Sequence, residues 1–305
     1  MRKLVTVFQR DGVKMTWKDW IGTYNSPYEL PPNLERILAV VDPDRIELTA
    51  FDQARFAVIL QDMLRRAARS VMEFGPPAYH NGQHFVEVVE NVLLLLHARV
   101  DPVPEAVRQA LVFAAAGHDF AHPGATYRKD AVNGRPLPEL GDEMATEEVS
   151  ARIVDDLAHE YAFNPAARLF IFRAIGATTF GNPAIGPQSP LERILACADV
   201  APNDPFLVWY KKGVDVTFHE CPAKPAPTTF SGWLKNRLGF IDYYLVNFFD
   251  EGKLQYYTQE AFALGWGMTL LSYKITLMSV EGGQDPMLAA MLKSMLPADR
   301  VDLSA

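Results

Sequence analysis

The segment Leu111–Gly117 (LVFAAAG) has no polar side chain, and it runs directly into His118-Asp119. A stretch this apolar on every side belongs in a protein interior. The chain must therefore build its core around an ionisable pair, and an isolated buried carboxylate is costly unless it is partnered. With 305 residues the chain is long enough to bury a sizeable core. Apolar spacing predicts a helix from Pro104 to about Phe120.

The same helical spacing recurs along the chain and predicts an all-α fold. Leu48 to Phe74 reads as a helix with Thr49 as its cap, stopped by Gly75-Pro76-Pro77. Further helices are expected over Asn81 to His97, Gly141 to Tyr161, Pro165 to Thr178, Pro190 to Val200, Trp233 to Asp250 and Thr258 to Glu281, with a short one after Pro286. Strand signals are few. Residues 1–45, which include Trp17, Trp20 and the turn-rich NSPYELPPN, read as an irregular or partly stranded arm on a main domain at 46–305. Ala261 to Val280 has the length of a membrane span but carries Lys274, hydroxyl residues and two glycines. A buried helix is expected there instead, and the same helix could serve a homodimer interface.

Composition narrows the function. A formal net charge of -8, with no run of Lys and Arg, argues against a nucleic-acid polymer as partner. A small anionic substrate stays open, because a bound metal reverses the local field. The two cysteines, Cys197 and Cys221, form no disulfide framework, and the start MRKLVTVFQRDG lacks the apolar core of a signal peptide. These features point to a cytoplasmic location.

Four of the seven histidines fall in two tight groups, His80 and His84 in YHNGQH and His118 and His122 in GHDFAHPG. Residues four apart share a helix face, so each pair can look into one cavity if the helix extends that far. Imidazole nitrogen and carboxylate oxygen suit zinc, iron or manganese, and an aspartate can bridge to a harder ion. The best remaining ligand is Asp199 in LERILACADV, an acid ending an apolar helical turn. The His118-Asp119 pair, Asp199 and a further histidine of these groups together make a His, His, Asp, Asp metal site, while His97, His159 and His219 read as surface or packing residues.

Tyr79–His84 resembles the YHNxxH signature of the class I cyclic nucleotide phosphodiesterases, and His118–Gly124 resembles their HDxxHPG. Ala198-Asp199 and Gly239–Tyr243 extend the likeness, which covers about Tyr79 to Asp250. The resemblance implies an HD-type helical bundle with the metal site in its core. It also implies two divalent metals, with zinc in the first site, magnesium or manganese in the second, and iron as a further option. By position it implies His84, His118, Asp119 and Asp199 as ligands of the first metal, Asp119 as a bridge to the second and His80 as general acid. His122, Glu143, Glu147 and Thr178 would stand behind the ligands, and Tyr79, Arg237 and Phe240 would line the substrate pocket, with Phe240 clamping a base. The implied reaction is hydrolysis of a small phosphodiester by a metal-activated bridging hydroxide.

The chain departs from the family at Arg237, where a glutamine is expected. Arginine donates but cannot accept, so two-way amide reading of a purine is lost. A 3′,5′-cyclic nucleotide is the leading substrate, followed by another small diester selected by Arg237. An orienting acid is needed to keep His80 protonated, and Glu87, Glu143 and Glu147 are the candidates. Two rival readings use the same residues: an HD-type di-iron oxygenase, which needs additional histidines, and a non-catalytic nucleotide-binding HD module.

Overall fold

The computed structural model describes residues 7–10, 13–16, 50–72, 79–99, 102–120, 146–179, 190–220, 226–248 and 265–304. These residues are mostly helical. Near the start of the chain, β1 (Val7–Arg10) and β2 (Val13–Thr16) form an antiparallel ladder in the register Val7↔Thr16 to Arg10↔Val13. Asp11-Gly12, between the two strands in sequence, is the dipeptide that favours a two-residue hairpin connection.

The helices are α1 (Gln53–Met72), α2 (Gly82–Ala98), α3 (Glu105–Ala115), α4 (Thr146–Glu160), α5 (Pro165–Gly176), α6 (Pro190–Asp199), α7 (Phe206–Val214), α8 (Phe230–Phe248), α9 (Trp266–Glu281) and α10 (Pro286–Ser294). α7 runs straight into a π-helical segment, Asp215–Glu220.

α3 is the hub, packed against α1, α2, α5 and α6. Ala106, Val107, Gln109 and every residue from Ala110 to Ala115 are buried, so the helix has almost no solvent face, as LVFAAAG requires. Its buried amide is satisfied on both sides: Gln109 accepts from the Phe51 N–H and donates to the Phe51 carbonyl, each at 2.9 Å. Asn164 with Pro165 starts α5, and Asp285 with Pro286 starts α10, each by accepting a backbone N–H from the first turn.

Several expectations need correction. The first long helix begins at Gln53, where Asp52 accepts the Arg55 N–H at 2.9 Å; Thr49 lies outside the described residues. α3 stops at Ala115, and residues 116–120 form a turn instead of more helix. α9 is buried along only one stripe, Trp266, Gly267, Leu270, Tyr273, Leu277 and Val280. Its opposite side exposes Met268, Leu271, Ile275 and Met278. No helix among the described residues is long and apolar enough to cross a membrane. The helix α7 and its π-helical continuation were not expected, although Phe206, Tyr210, Val214 and Phe218 recur at a helical spacing of four.

The turn after α3 leaves no room for a side chain at Gly117. A Cβ there would lie 2.7 Å from Val154 Cγ2 and closer still to the end of Met63. Gly117→Ala should overpack this joint and cost about 1–3 kcal/mol, read as a lower urea midpoint. An unchanged midpoint would mean that the turn is loosely packed.

Candidate metal centre and cavity

Three helix ends converge at the site, the start of α2, the end of α3 and the end of α6. At the first, Asn81 accepts the backbone N–H groups of Gln83 at 2.9 Å and His84 at 3.3 Å, which starts α2 at Gly82 and sets His84 in its first turn. At the second, the turn after α3 carries His118 and Asp119, and the Ser70 hydroxyl of α1 holds it by donating to the Phe120 carbonyl at 3.1 Å. The third is the C-terminus of α6. Two of its last-turn carbonyls are taken by buried side chains: Asn91 donates to Ala198 at 2.9 Å and Tyr244 to Cys197 at 2.8 Å. These bonds fix the position of Asp199.

His84, His118, Asp119 and Asp199 each offer a ligand atom, and these atoms lie within 4.8 Å of one another. His84 Nε2 is 3.1 Å from Asp119 Oδ2 and 3.2 Å from Asp199 Oδ1, and His118 Nε2 is 3.0 Å and 3.2 Å from the same two oxygens. His118 Nδ1–H donates to the Ala115 carbonyl at 2.9 Å, which leaves Nε2 facing the cluster. A histidine ligand is commonly oriented by such a second bond. Donor set, closeness and burial together mean that the four residues could hold a metal ion.

Electrostatics bind the cluster without a metal. Burial lowers the affinity of His118 for a proton, but the charges of Asp119 and Asp199 outweigh it and raise the group well above its ordinary 6.5. His84 is raised in the same way, against its own burial. Asp199 moves in the opposite sense: burial raises it, but the His118 charge and the hydrogen bonds from both imidazoles bring it below the usual carboxylate range.

His80 adjoins this cluster, with Nε2 3.7 Å from Asp119 Oδ2. It stands ahead of α2, so the N-cap turn brings it to His84, not a shared helix face. Their rings are 5.5 Å apart. His80 Nδ1 is hydrogen-bonded to Glu220, the last residue of the π-helical segment. Glu220 also accepts the N–H groups of Tyr79 and His80, the latter at 3.2 Å. Burial alone would raise Glu220, but the bond to His80 and the two backbone donors lower it, so it stays a carboxylate.

Among the described residues the acid paired with His80 is therefore Glu220, which sequence reasoning missed, and neither Glu87 nor Glu147 takes that place. Glu87 is paired with Lys212 at 2.8 Å, Glu147 lines the cavity, and Glu143 lies outside the described residues. The weak signal for Glu220 was an acid beside His219, which is exposed, as are His97 and His159. His122 also lies outside the described residues.

His80, His84, Asp119 and Asp199 open onto a cavity of 440 Å³, within the range of roughly 300–1,000 Å³ common for small-molecule sites. Tyr79, Thr178, Arg237 and Phe240 line it as well. Tyr79 packs on His84 with ring centroids 4.5 Å apart, and the Thr178 hydroxyl donates to the Ile175 carbonyl at 2.8 Å. Sequence reasoning also missed Trp209, Lys212 and Gly213, which α7 brings to the same cavity.

Both cluster histidines are raised from 6.5, so their ion-pair stabilisation is complete below that value and is lost as pH rises through the raised values. Chelator-treated protein should show a lower urea midpoint at about pH 9.5 than at about pH 6.5, and metal uptake should release protons. A midpoint that does not move, with no proton release, would mean that the imidazoles are already neutral.

Comparisons of the chain with models of known protein families, with curated proteins and with solved structures find no match in any of the three, so a functional reading rests on the residues of this site.

Proposed function

We propose that the chain is a metal-dependent phosphodiesterase of the HD type that hydrolyses a small phosphodiester, with a 3′,5′-cyclic nucleotide as the first substrate to test. The observation that carries this reading is the placement of His80. It is held by Glu220 on one ring nitrogen and presents the other toward Asp119 of the metal-capable cluster, at the wall of one cavity. The sequence resemblance to the class I cyclic nucleotide phosphodiesterases supports it independently.

In this reading His84, His118, Asp119 and Asp199 would hold the first divalent metal, zinc, and Asp119 would face a second, magnesium or manganese. When bound, such metals supply Lewis acidity toward the phosphoryl oxygens and lower the pKa of water. The protein's own groups do the rest. As water adds to phosphorus and the bond to the leaving oxygen breaks, His80 gives its Nε2 proton to the departing alkoxide. Glu220 accepts Nδ1–H throughout, which fixes the ring orientation and balances the charge of the imidazolium. Tyr79, against both imidazoles, keeps its hydroxyl proton, because burial and the nearby Asp199 and Asp119 charges raise it well above its ordinary value. It is a neutral neighbour of the reacting groups.

The zinc- and manganese-loaded protein should hydrolyse at least one of bis(p-nitrophenyl) phosphate, cyclic AMP, cyclic GMP or a glycerophosphodiester, and prefer it to a phosphomonoester. His80→Ala should keep metal and lose about 10²–10⁴-fold in turnover, whereas Asp119→Ala should lose both. Glu220→Gln should lower kcat with little change in KM. Equal metal loss in the His80 and Asp119 variants, or silence on every diester from protein shown to hold metal, would contradict the proposal.

A further inference from the structure

The cavity is lined by six carboxylates, Glu87, Glu90, Asp119, Glu147, Asp199 and Asp204, and by two cationic side chains, Lys212 and Arg237. Lys212 is already neutralised, bridging Glu87 and Asp204 at 2.8 Å each. Arg237 is not. It is 7% exposed, yet among the described residues its guanidinium forms no hydrogen bond and no ion pair, and its Nε is fully enclosed without an acceptor.

What holds Arg237 is shape and aromatic contact. Its Cζ lies 4.5 Å from the Trp209 ring centre, 4.6 Å from that of Phe240 and 5.6 Å from that of Trp233. Opposite, α7 places a glycine: a Cβ at Gly213 would come within 2.7 Å of Cζ and 2.8 Å of Nη1. The missing side chain is the space the guanidinium occupies. Cation–π contacts offset part of the cost of burying the charge, but they use none of its five N–H donors. A buried cation with open donors at the wall of a cavity is a half-made ion pair, and the geometry that best completes it is a two-oxygen anion.

We propose that Arg237 binds an oxyanion, a carboxylate or a phosphate, that the substrate carries apart from its scissile diester. The inference rests on the phosphodiesterase reading for the scissile group and deepens it. The preferred substrate is then a small diester with a second negative group, which cyclic AMP and cyclic GMP lack, so those two probe the diester reaction and not the preference; the face of Phe240 occupied by Arg237 is given to anion recognition instead of base stacking. A neutral carbonyl would satisfy one donor and leave the charge uncompensated, so it is the weaker partner.

Two matched pairs test this on the full-length, manganese-loaded protein. Glycerophosphoserine and glycerophosphoethanolamine differ by a carboxylate. Thymidine 3′-phosphate 5′-(p-nitrophenyl phosphate) and thymidine 5′-(p-nitrophenyl phosphate) differ by a phosphate. Specificity is read as kcat/KM on the wild type, and affinity by calorimetry on the His80→Ala background, where turnover is slow. The more anionic member of at least one pair should be preferred by about tenfold to a hundredfold, the worth of a charge-assisted contact. The pair that responds names the oxyanion.

Arg237→Gln should abolish that preference and Arg237→Lys should weaken it. Gly213→Ala, which keeps the arginine in the sequence but displaces its guanidinium by filling the space it occupies, on a helix where alanine is favourable, should also reduce it. Equal affinity within both pairs, or a preference that survives Arg237→Gln, would overturn the assignment. A binding preference that depends on Arg237, in protein that hydrolyses no diester, would uphold the anion site and sink the phosphodiesterase reading alone.

Discussion

The structure depends on two carboxylates, Asp119 and Asp199, shared between two imidazoles, His84 and His118, at the buried end of the cavity, with Asp199 the most exposed of the four. Removing any one member strands a buried charge, an arrangement that costs about 3–5 kcal/mol when a buried pair is broken. The surrounding scaffold serves this constraint. The C-terminal half of α3, Ala110–Ala115, is apolar and buried on all sides, and it leads into the turn that places His118 and Asp119 at the centre. α2 begins at an asparagine cap so that His84 falls in its first turn. The end of α6 is fastened by Asn91 and Tyr244 so that Asp199 meets both rings. Protons hold the cluster together in the metal-free state, and a metal that displaces them takes over the same role.

Around that centre the cavity carries six carboxylates against two cationic side chains, which suits a cluster that could hold a metal ion and disfavours an anion bound unaided. Lys212 is already committed to two carboxylates, and Arg237 stands against three aromatic rings instead of an acid. The π-helical segment has a particular place in this layout. It continues the helix that supplies Trp209, Lys212 and Gly213, and ends at Glu220 on His80, so a single element joins the pocket wall to the group proposed as the acid. Such π segments recur at functional sites in proteins generally.

The four cluster residues were legible because each sits in a dense local pattern: an apolar run leading into His-Asp, two histidines in six residues, an acid closing an apolar turn. Such patterns state burial and chemistry together. Glu220 was not legible because its partner His80 is 140 positions away and nothing in its neighbourhood marks it as buried. The proximity of His80 and His84 was expected from helical periodicity but arises from the N-cap turn, a feature that spacing alone does not distinguish. Arg237 stood out only by its place in the motif, since its isolation from acids is a property of packing. Sequence hydropathy likewise marked α9 as buried, whereas tertiary packing covers only one of its stripes.

On the proposed function, diester hydrolysis requires a metal held by the histidine–aspartate cluster. The most direct test is to strip the protein with chelator and return manganese or zinc stepwise, counting bound metal by elemental analysis while following bis(p-nitrophenyl) phosphate hydrolysis on the same samples. The expected result is no turnover from stripped protein and a rate that climbs with occupancy. A rate indifferent to bound metal, or full occupancy without diester turnover, would contradict the account.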